Sequence, residues 1–145
     1  MRAGEAGGRD ATTRVLRGTR RSVERMALSA TIYHNPKCGS SNNALAIAAE
    51  LGVDVEVVPY LKTPPDAATL RAVIAKLEDP VTDLVRRDNL WTQLGLSDAD
   101  VATADQVVRV LGEHPALMQR PLIVLGERAF IGRPKERVRD AFQAS

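Results

Sequence analysis

The stretch Thr31-Ile32-Tyr33-His34-Asn35-Pro36-Lys37-Cys38-Gly39-Ser40-Ser41-Asn42 decides the fold, together with the residues that carry it on to Tyr60. Thr31 to His34 is β-branched and aromatic, which suits a short pleated strand. Asn35 to Gly39 is turn chemistry, and Pro36 steers the residue before it out of the α region. Ser40, Ser41 and Asn42 are N-cap candidates for a helix over Asn43–Leu51. Gly52 stands where a left-handed residue would end that helix. Val53 to Tyr60 alternates and is rich in valine, which predicts a second strand. The result is a strand–loop–helix–strand unit of about thirty residues, the size of a crossover between parallel strands.

Downstream, Asp66 is placed to cap a helix whose apolar positions are Leu70, Val73, Ile74 and Leu77. A second helical stretch is predicted over about Val81–Arg87, with Trp91 to Gly95 ending it. Thr103 and Gln106 have capping-box spacing, and Val107, Val110 and Leu111 continue that helix's apolar face. Pro121 must lie at the start of the apolar strand that runs to Leu125, because proline cannot donate to a ladder. Gly126, Glu127 and Arg128 turn the chain into Ala129-Phe130-Ile131, so these two strands form a hairpin. Pro134 suits the first turn of a last helix. A β-α-β half and a β-β-α half sharing one four-stranded mixed sheet is the thioredoxin-like arrangement, an α/β fold. The helices over about residues 64–115 are then an insertion between the halves.

The chain has 145 residues, enough for one compact domain, and 44% apolar content with 3% aromatic predicts a core of Ala, Val, Leu and Ile. No apolar run reaches the roughly 18–20 residues of a membrane span, so no membrane association is expected. Arg2, Arg9, Arg14, Arg17, Arg20, Arg21 and Arg25 face only Glu5, Asp10 and Glu24 in the first 25 residues, while the whole chain is at +2. The basic excess therefore belongs to the tail, and a nucleic-acid surface on the domain is not expected. Residues 1–27 lack the apolar core of a secretory signal and read as a disordered extension, with the domain at 28–145.

Cys38 is the only cysteine, so no internal disulfide can form, which fits a reducing cytoplasm. A thiol at a helix N-terminus, among Lys, Gly, Ser and Asn, is placed to ionise, because unpaired N–H groups and the helix dipole stabilise its anion. Lys37 and His34 can add positive charge or a hydrogen bond, and the hydroxyls of Ser40 and Ser41 can donate. The same surroundings favour an oxyanion beside the sulfur. In the proposed fold the loop before the third strand packs against this helix end, so Arg120 would face Cys38. Arg86 and Arg133 carry the same fork-shaped guanidinium, which grips a tetrahedral oxyanion well. Composition and spacing alone would not single out these three arginines.

Ile32 to Ser41, Tyr60 to Pro65, Leu84 to Arg87, His114 to Val124 and Ile131 to Glu136 together resemble the motifs of the glutaredoxin-coupled arsenate reductases, in the same order and with similar spacing. The resemblance runs from about Thr31 to Phe142. It implies reduction of arsenate to arsenite, with Cys38 as nucleophile and His34 tuning its thiol. Arg86, Arg120 and Arg133 fall on the family's oxyanion-binding arginines, and Pro121 on the cis-proline of thioredoxin-like folds. The implied cycle passes through a covalent Cys38–arsenate adduct, resolved by glutathione or another low-molecular-weight thiol and then by glutaredoxin. No metal or bound organic cofactor is implied, and a monomer is the default expectation. Asn42 departs from the pattern, standing where well-studied members often carry an arginine.

Two other readings are open at this level. One is a thiol-dependent reductase of the same family acting on another substrate. The other is a redox-sensing regulator of the same fold that binds RNA polymerase; such proteins usually carry a Cys-x-x-Cys switch, and here the second position is Ser41.

Overall fold

The computed structural model describes residues 29–144. The extension predicted over residues 1–27 lies outside the described residues. Four strands, β1 (Ala30–His34), β2 (Val55–Pro59), β3 (Leu122–Leu125) and β4 (Arg128–Ile131), form one sheet in the order β2-β1-β3-β4. β1 and β2 are parallel, while β1–β3 and β3–β4 are antiparallel. This is the mixed thioredoxin-like sheet the element order predicts. Helix α1 (Gly39–Leu51) makes the crossover from β1 to β2, and α5 (Lys135–Ala144) closes the chain. Between β2 and β3 lie α2 (Ala67–Lys76), α3 (Asn89–Leu94) and α4 (Ala104–Glu113), with short 3-10 turns between and after them.

Alternation along the strands divides the core in two. Ile32, Ile123 and Phe130 face α1 and α5, meeting Ala44, Ile47, Val138 and Phe142. Tyr33, Leu122, Ala129 and Ile131 face the other way, onto Leu70, Leu84, Trp91, Leu111 and Met118 of the inserted segment. Ile32, Ile123, Phe130 and Leu84 are completely buried, and each such side chain contributes about 1.5–3 kcal/mol of transfer free energy. The inserted helices are therefore the second layer of the sheet.

Local signals hold at several element ends. Gly52 closes α1 in the left-handed conformation at φ 72°, with its N–H donating to the last turn. Asp66 caps α2, and Thr103 and Gln106 form the capping box of α4. The Arg120–Pro121 peptide is cis, as the resemblance implies, and so is Arg133–Pro134. Pro134 thus precedes α5, which starts at Lys135, instead of occupying its first turn.

Two further local expectations need correction. Cys38 itself is the N-cap of α1, which starts at Gly39, so Ser40, Ser41 and Asn42 already lie in its first turn. The stretch Val81–Arg87 is no α-helix. A 3-10 turn covers Val81–Leu84, and Val85 then pairs with Met118 in an isolated antiparallel bridge. Arg86 N–H donates to Leu117 O at 2.8 Å, and Gln119 N–H donates to Leu84 O at 2.8 Å. These long-range bonds take the groups a helix would have used, and α3 restarts at Asn89 under a cap from Asp88.

β4 is an outer strand, and its open side is covered. Leu77 pairs with Ala129, Glu78 N–H donates to Ala129 O at 2.8 Å, and Ile131 N–H donates to Asp79 Oδ2 at 2.9 Å. Arg128 adds a two-pronged bond to the Glu78 carboxylate at 2.7 and 3.1 Å. The segment after α2 is in effect a strap along the sheet edge.

Candidate active site

The site forms where β1 ends, α1 begins, and the loops around β3 and β4 arrive. Cys38 has an extended backbone, φ −102° and ψ 123°, and its carbonyl accepts the first bond of α1 from Asn42 N–H at 3.1 Å. The loop before it is laced by side chains. Asn35 Oδ1 accepts from Lys37 N–H at 2.9 Å, Ser41 Oγ accepts from Asn35 N–H at 3.3 Å, and Asn42 Nδ2 donates to Pro36 O at 3.0 Å.

Cys38 is buried, with 8% of its surface exposed, and burial by itself would raise a thiol's pKa. The net effect is the reverse. Burial pushes the thiol up, but the Ser41 N–H, the Arg120 guanidinium, the Ser40 N–H and the Ser41 hydroxyl all favour the thiolate and bring it down to about 7. The donors are the open end of α1 and one arginine. Lys37 extends into solvent and is not among these donors.

Arg133 reaches the same sulfur from the end of β4. Its Nη2 donates to Cys38 Sγ at 3.4 Å while its Nε donates to Arg120 O at 2.7 Å, so one planar group is held at both ends. Gly132 makes this approach feasible. Its N–H donates to Pro121 O at 2.8 Å, and a Cβ there would sit 2.8 Å from Pro121 Cγ, 2.9 Å from Ile123 Cδ1 and 3.0 Å from Val138 Cγ2. Arg120 Nε is buried and without a hydrogen-bond partner among the described residues.

Arg86 arrives on the small ribbon that pairs with Leu117 and Gln119. Its Nε donates to Asp88 Oδ2 and its Nη1 to Gln119 Oε1, both at 3.3 Å. It lines one groove with Arg133 and Gln119. His34 ends β1 and is buried; its Nδ1 has no hydrogen-bond partner among the described residues. Burial pushes the His34 imidazole below its ordinary 6.5, so the ring is neutral at pH 7. The structure thus brings Arg120 and Arg133 onto Cys38 and sets Arg86 in the adjoining groove. It makes no hydrogen bond from His34 to the thiol.

Sequence reasoning missed Gln119 and Asp88, which hold Arg86, and Asp79, which holds β4 at Ile131. The capping position of Asp88 was a readable signal; Gln119 and Asp79 carry none, because their partners are distant in sequence. Among the described residues no three His, Cys, Asp or Glu side chains cluster to hold a metal ion. A buried thiolate with arginine donors around it can attack an electrophilic centre whose oxygens carry negative charge.

The model of the ArsC family matches residues 33–141. The chain belongs to the ArsC family. Among ArsC relatives, an arsenate reductase of Neisseria meningitidis serogroup A is 38% identical over 109 residues, covering 74% of this chain and 92% of that protein. The Escherichia coli K12 protein YfgD, described as uncharacterized, is 39% identical over 115 residues, covering 78% and 96%. The solved structure of an arsenate reductase from Vibrio cholerae superposes with a TM-score of 0.69 at 34% identity, covering 77% of this chain and 96% of that one. The ArsC match begins at Tyr33 and takes in β1's end, the Cys38 loop and the Arg86, Arg120 and Arg133 positions. No helix among the described residues is long and apolar enough to cross a membrane.

Proposed function

We propose that this protein is an oxidoreductase that reduces arsenate to arsenite, with Cys38 as nucleophile and Arg86, Arg120 and Arg133 holding the oxyanion. The observation that carries this reading is Arg133 Nη2 at 3.4 Å from a thiol whose pKa is about 7. At neutral pH about half of such a thiol is ionised, and the guanidinium beside the sulfur is a donor within reach of an oxyanion bound there.

The cycle balances with one protein thiol and two external ones. Cys38 sulfur attacks arsenic, the S–As bond forms, and one arsenate oxygen leaves as water. A small thiol, glutathione in this reading, then attacks Cys38 sulfur. The S–S bond forms and the As–S bond breaks with its electron pair on arsenic, which departs as arsenite. Glutaredoxin takes the glutathione from the mixed disulfide and returns Cys38 to its thiolate. His34, neutral and beside the loop, is the candidate to tune the thiol. No cofactor is bound in this scheme, and the protein works as a cytoplasmic monomer.

The test is arsenate-dependent NADPH oxidation with glutathione, glutaredoxin and glutathione reductase. Wild type should turn over and Cys38→Ser should not; equal rates in the two would end the assignment. A second reading, the same chemistry on another substrate, draws support from YfgD, a relative described as uncharacterized at 39% identity. Absence of arsenate turnover with an intact, ionised Cys38 would favour it.

A further inference from the structure

The two outer edges of the sheet differ. β4 has its covering segment, whereas β2 has none among the described residues: it pairs with β1, and Glu56, Val57 and Val58 make no backbone hydrogen bond outside that ladder. Alternate residues of such a strand turn their N–H and C=O away from the single neighbour, which leaves a template for another segment. Val57 is 44% exposed on this edge. Pro59 blunts only the far end of the strand.

At the near end, where the chain enters β1, a hollow of about 430 Å³ opens beside Ala30, Thr31, Glu56, Val124 and Gly126. Thr31, Glu56 and Val124 stand in register across three strands and none is buried, so the inserted helices cover this end of their sheet face incompletely. Asp54 and Glu56 are exposed here, and neither has an ion-pair partner among the described residues. Lys76 is occupied across β1, donating to the Gly126 carbonyl at 3.1 Å.

The chain that precedes Ser29 arrives at this hollow. Its first 25 residues carry seven arginines against three carboxylates, and the whole chain is at +2, so residues 26–145 stand at −2. A basic segment tethered beside an acidic, unpaired edge has both charge and local concentration in its favour. Length suffices as well. Passing from β1 beyond β2 covers two strand spacings, about 10 Å, which about three extended residues span.

We propose that residues 20–25 run along the outer edge of β2, antiparallel to it, with Arg20, Arg21 and Arg25 meeting Asp54 and Glu56, while residues 26–28 cross the hollow. The direction follows from the register, because the segment must end beside Ala30, the partner of Val55 at the start of β2. Composition alone predicts disorder for this segment, and the sheet edge supplies the order that its own sequence lacks.

The experiment places a nitroxide on Ser22→Cys in the full chain, with Cys38→Ser so that the label finds one thiol, and reads amide line broadening. Val57 and Val58 should broaden several-fold more than Gly126 and Glu127, which lie on the other side of β1. Glu56→Lys should sharply reduce that difference, and Arg20→Glu with Arg21→Glu in the same background should restore it. Equal broadening on the two sides of β1 would overturn the proposal, and so would a difference indifferent to Glu56→Lys. Broadening passed from labelled to unlabelled chains in a mixture would give the edge to a second copy, and would overturn it too.

Discussion

Arg133 and Cys38 are 95 residues apart in the chain and 3.4 Å apart at Nη2 and Sγ. The contact joins the two halves of the fold at the reacting atom. Removing the guanidinium in Arg133→Ala withdraws a charge-assisted bond worth about 1.5–3 kcal/mol. The arsenate KM is expected to rise by about tenfold or more, with the Cys38 pKa moving up. Steady-state kinetics with a pH series of thiol alkylation would show both, and unchanged values would remove Arg133 from the site.

The ionisation of Cys38 has a definite sign in stability as well. Its folded pKa, about 7 against an ordinary 9.0, is depressed, so the thiolate's contribution is fully present above the unfolded value. That contribution is lost as pH falls from about 9 through 7. Wild type compared with Cys38→Ser is expected to gain about 2–3 kcal/mol between pH 6 and pH 9.5. Urea denaturation of the pair across that range measures it, and a flat difference would contradict the activated thiolate.

Gly132 is needed for space. With Pro121, Ile123 and Val138 all within 3.0 Å of a Cβ at that position, Gly132→Ala should cost about 1–3 kcal/mol. The more telling result is at the thiol, since the displaced backbone carries Arg133. Alkylation at fixed pH 7 should slow in Gly132→Ala beyond what its lower melting temperature explains.

Asp79 and Gln119 separate stability from function. Asp79→Ala leaves Ile131 N–H without its acceptor and takes from the Arg137 guanidinium its carboxylate at 2.7 Å, leaving it the Ile131 carbonyl, an expected loss of about 1–3 kcal/mol in denaturant unfolding. Gln119→Leu frees one prong of Arg86. It should raise the arsenate KM several-fold, on the order of 0.5–1.5 kcal/mol, with little change in folding stability.

The elements whose shape is set locally were legible in the sequence. The crossover from Thr31 to Tyr60, the Gly126 hairpin and the Thr103–Gln106 capping box each rest on neighbouring residues. So does the exposure of Cys38 to a helix end. What local pattern could not reveal is where distant segments compete for backbone groups. Leu84 O accepts from Gln119 N–H and Arg86 N–H donates to Leu117 O, and the predicted helix over Val81–Arg87 is replaced by a turn and a ribbon. Of the donors the sequence offered the thiol, the helix N–H groups, Ser41 and Arg120 hold and Lys37 does not. Lys37, next to Cys38 in sequence, is exposed and not among the groups that favour the thiolate, whereas Arg133, 95 residues on, donates to the sulfur.

The strap of Leu77 to Asp79 along β4 ties the inserted segment to the sheet through backbone as well as side chains. The insertion therefore cannot melt and leave an intact thioredoxin-like half behind, because its loss would strip hydrogen bonds from β4. The described residues should therefore unfold as one cooperative unit. Its single tryptophan, Trp91, lies in the insertion, so fluorescence from that one ring reports the unfolding of the sheet that carries the chemistry.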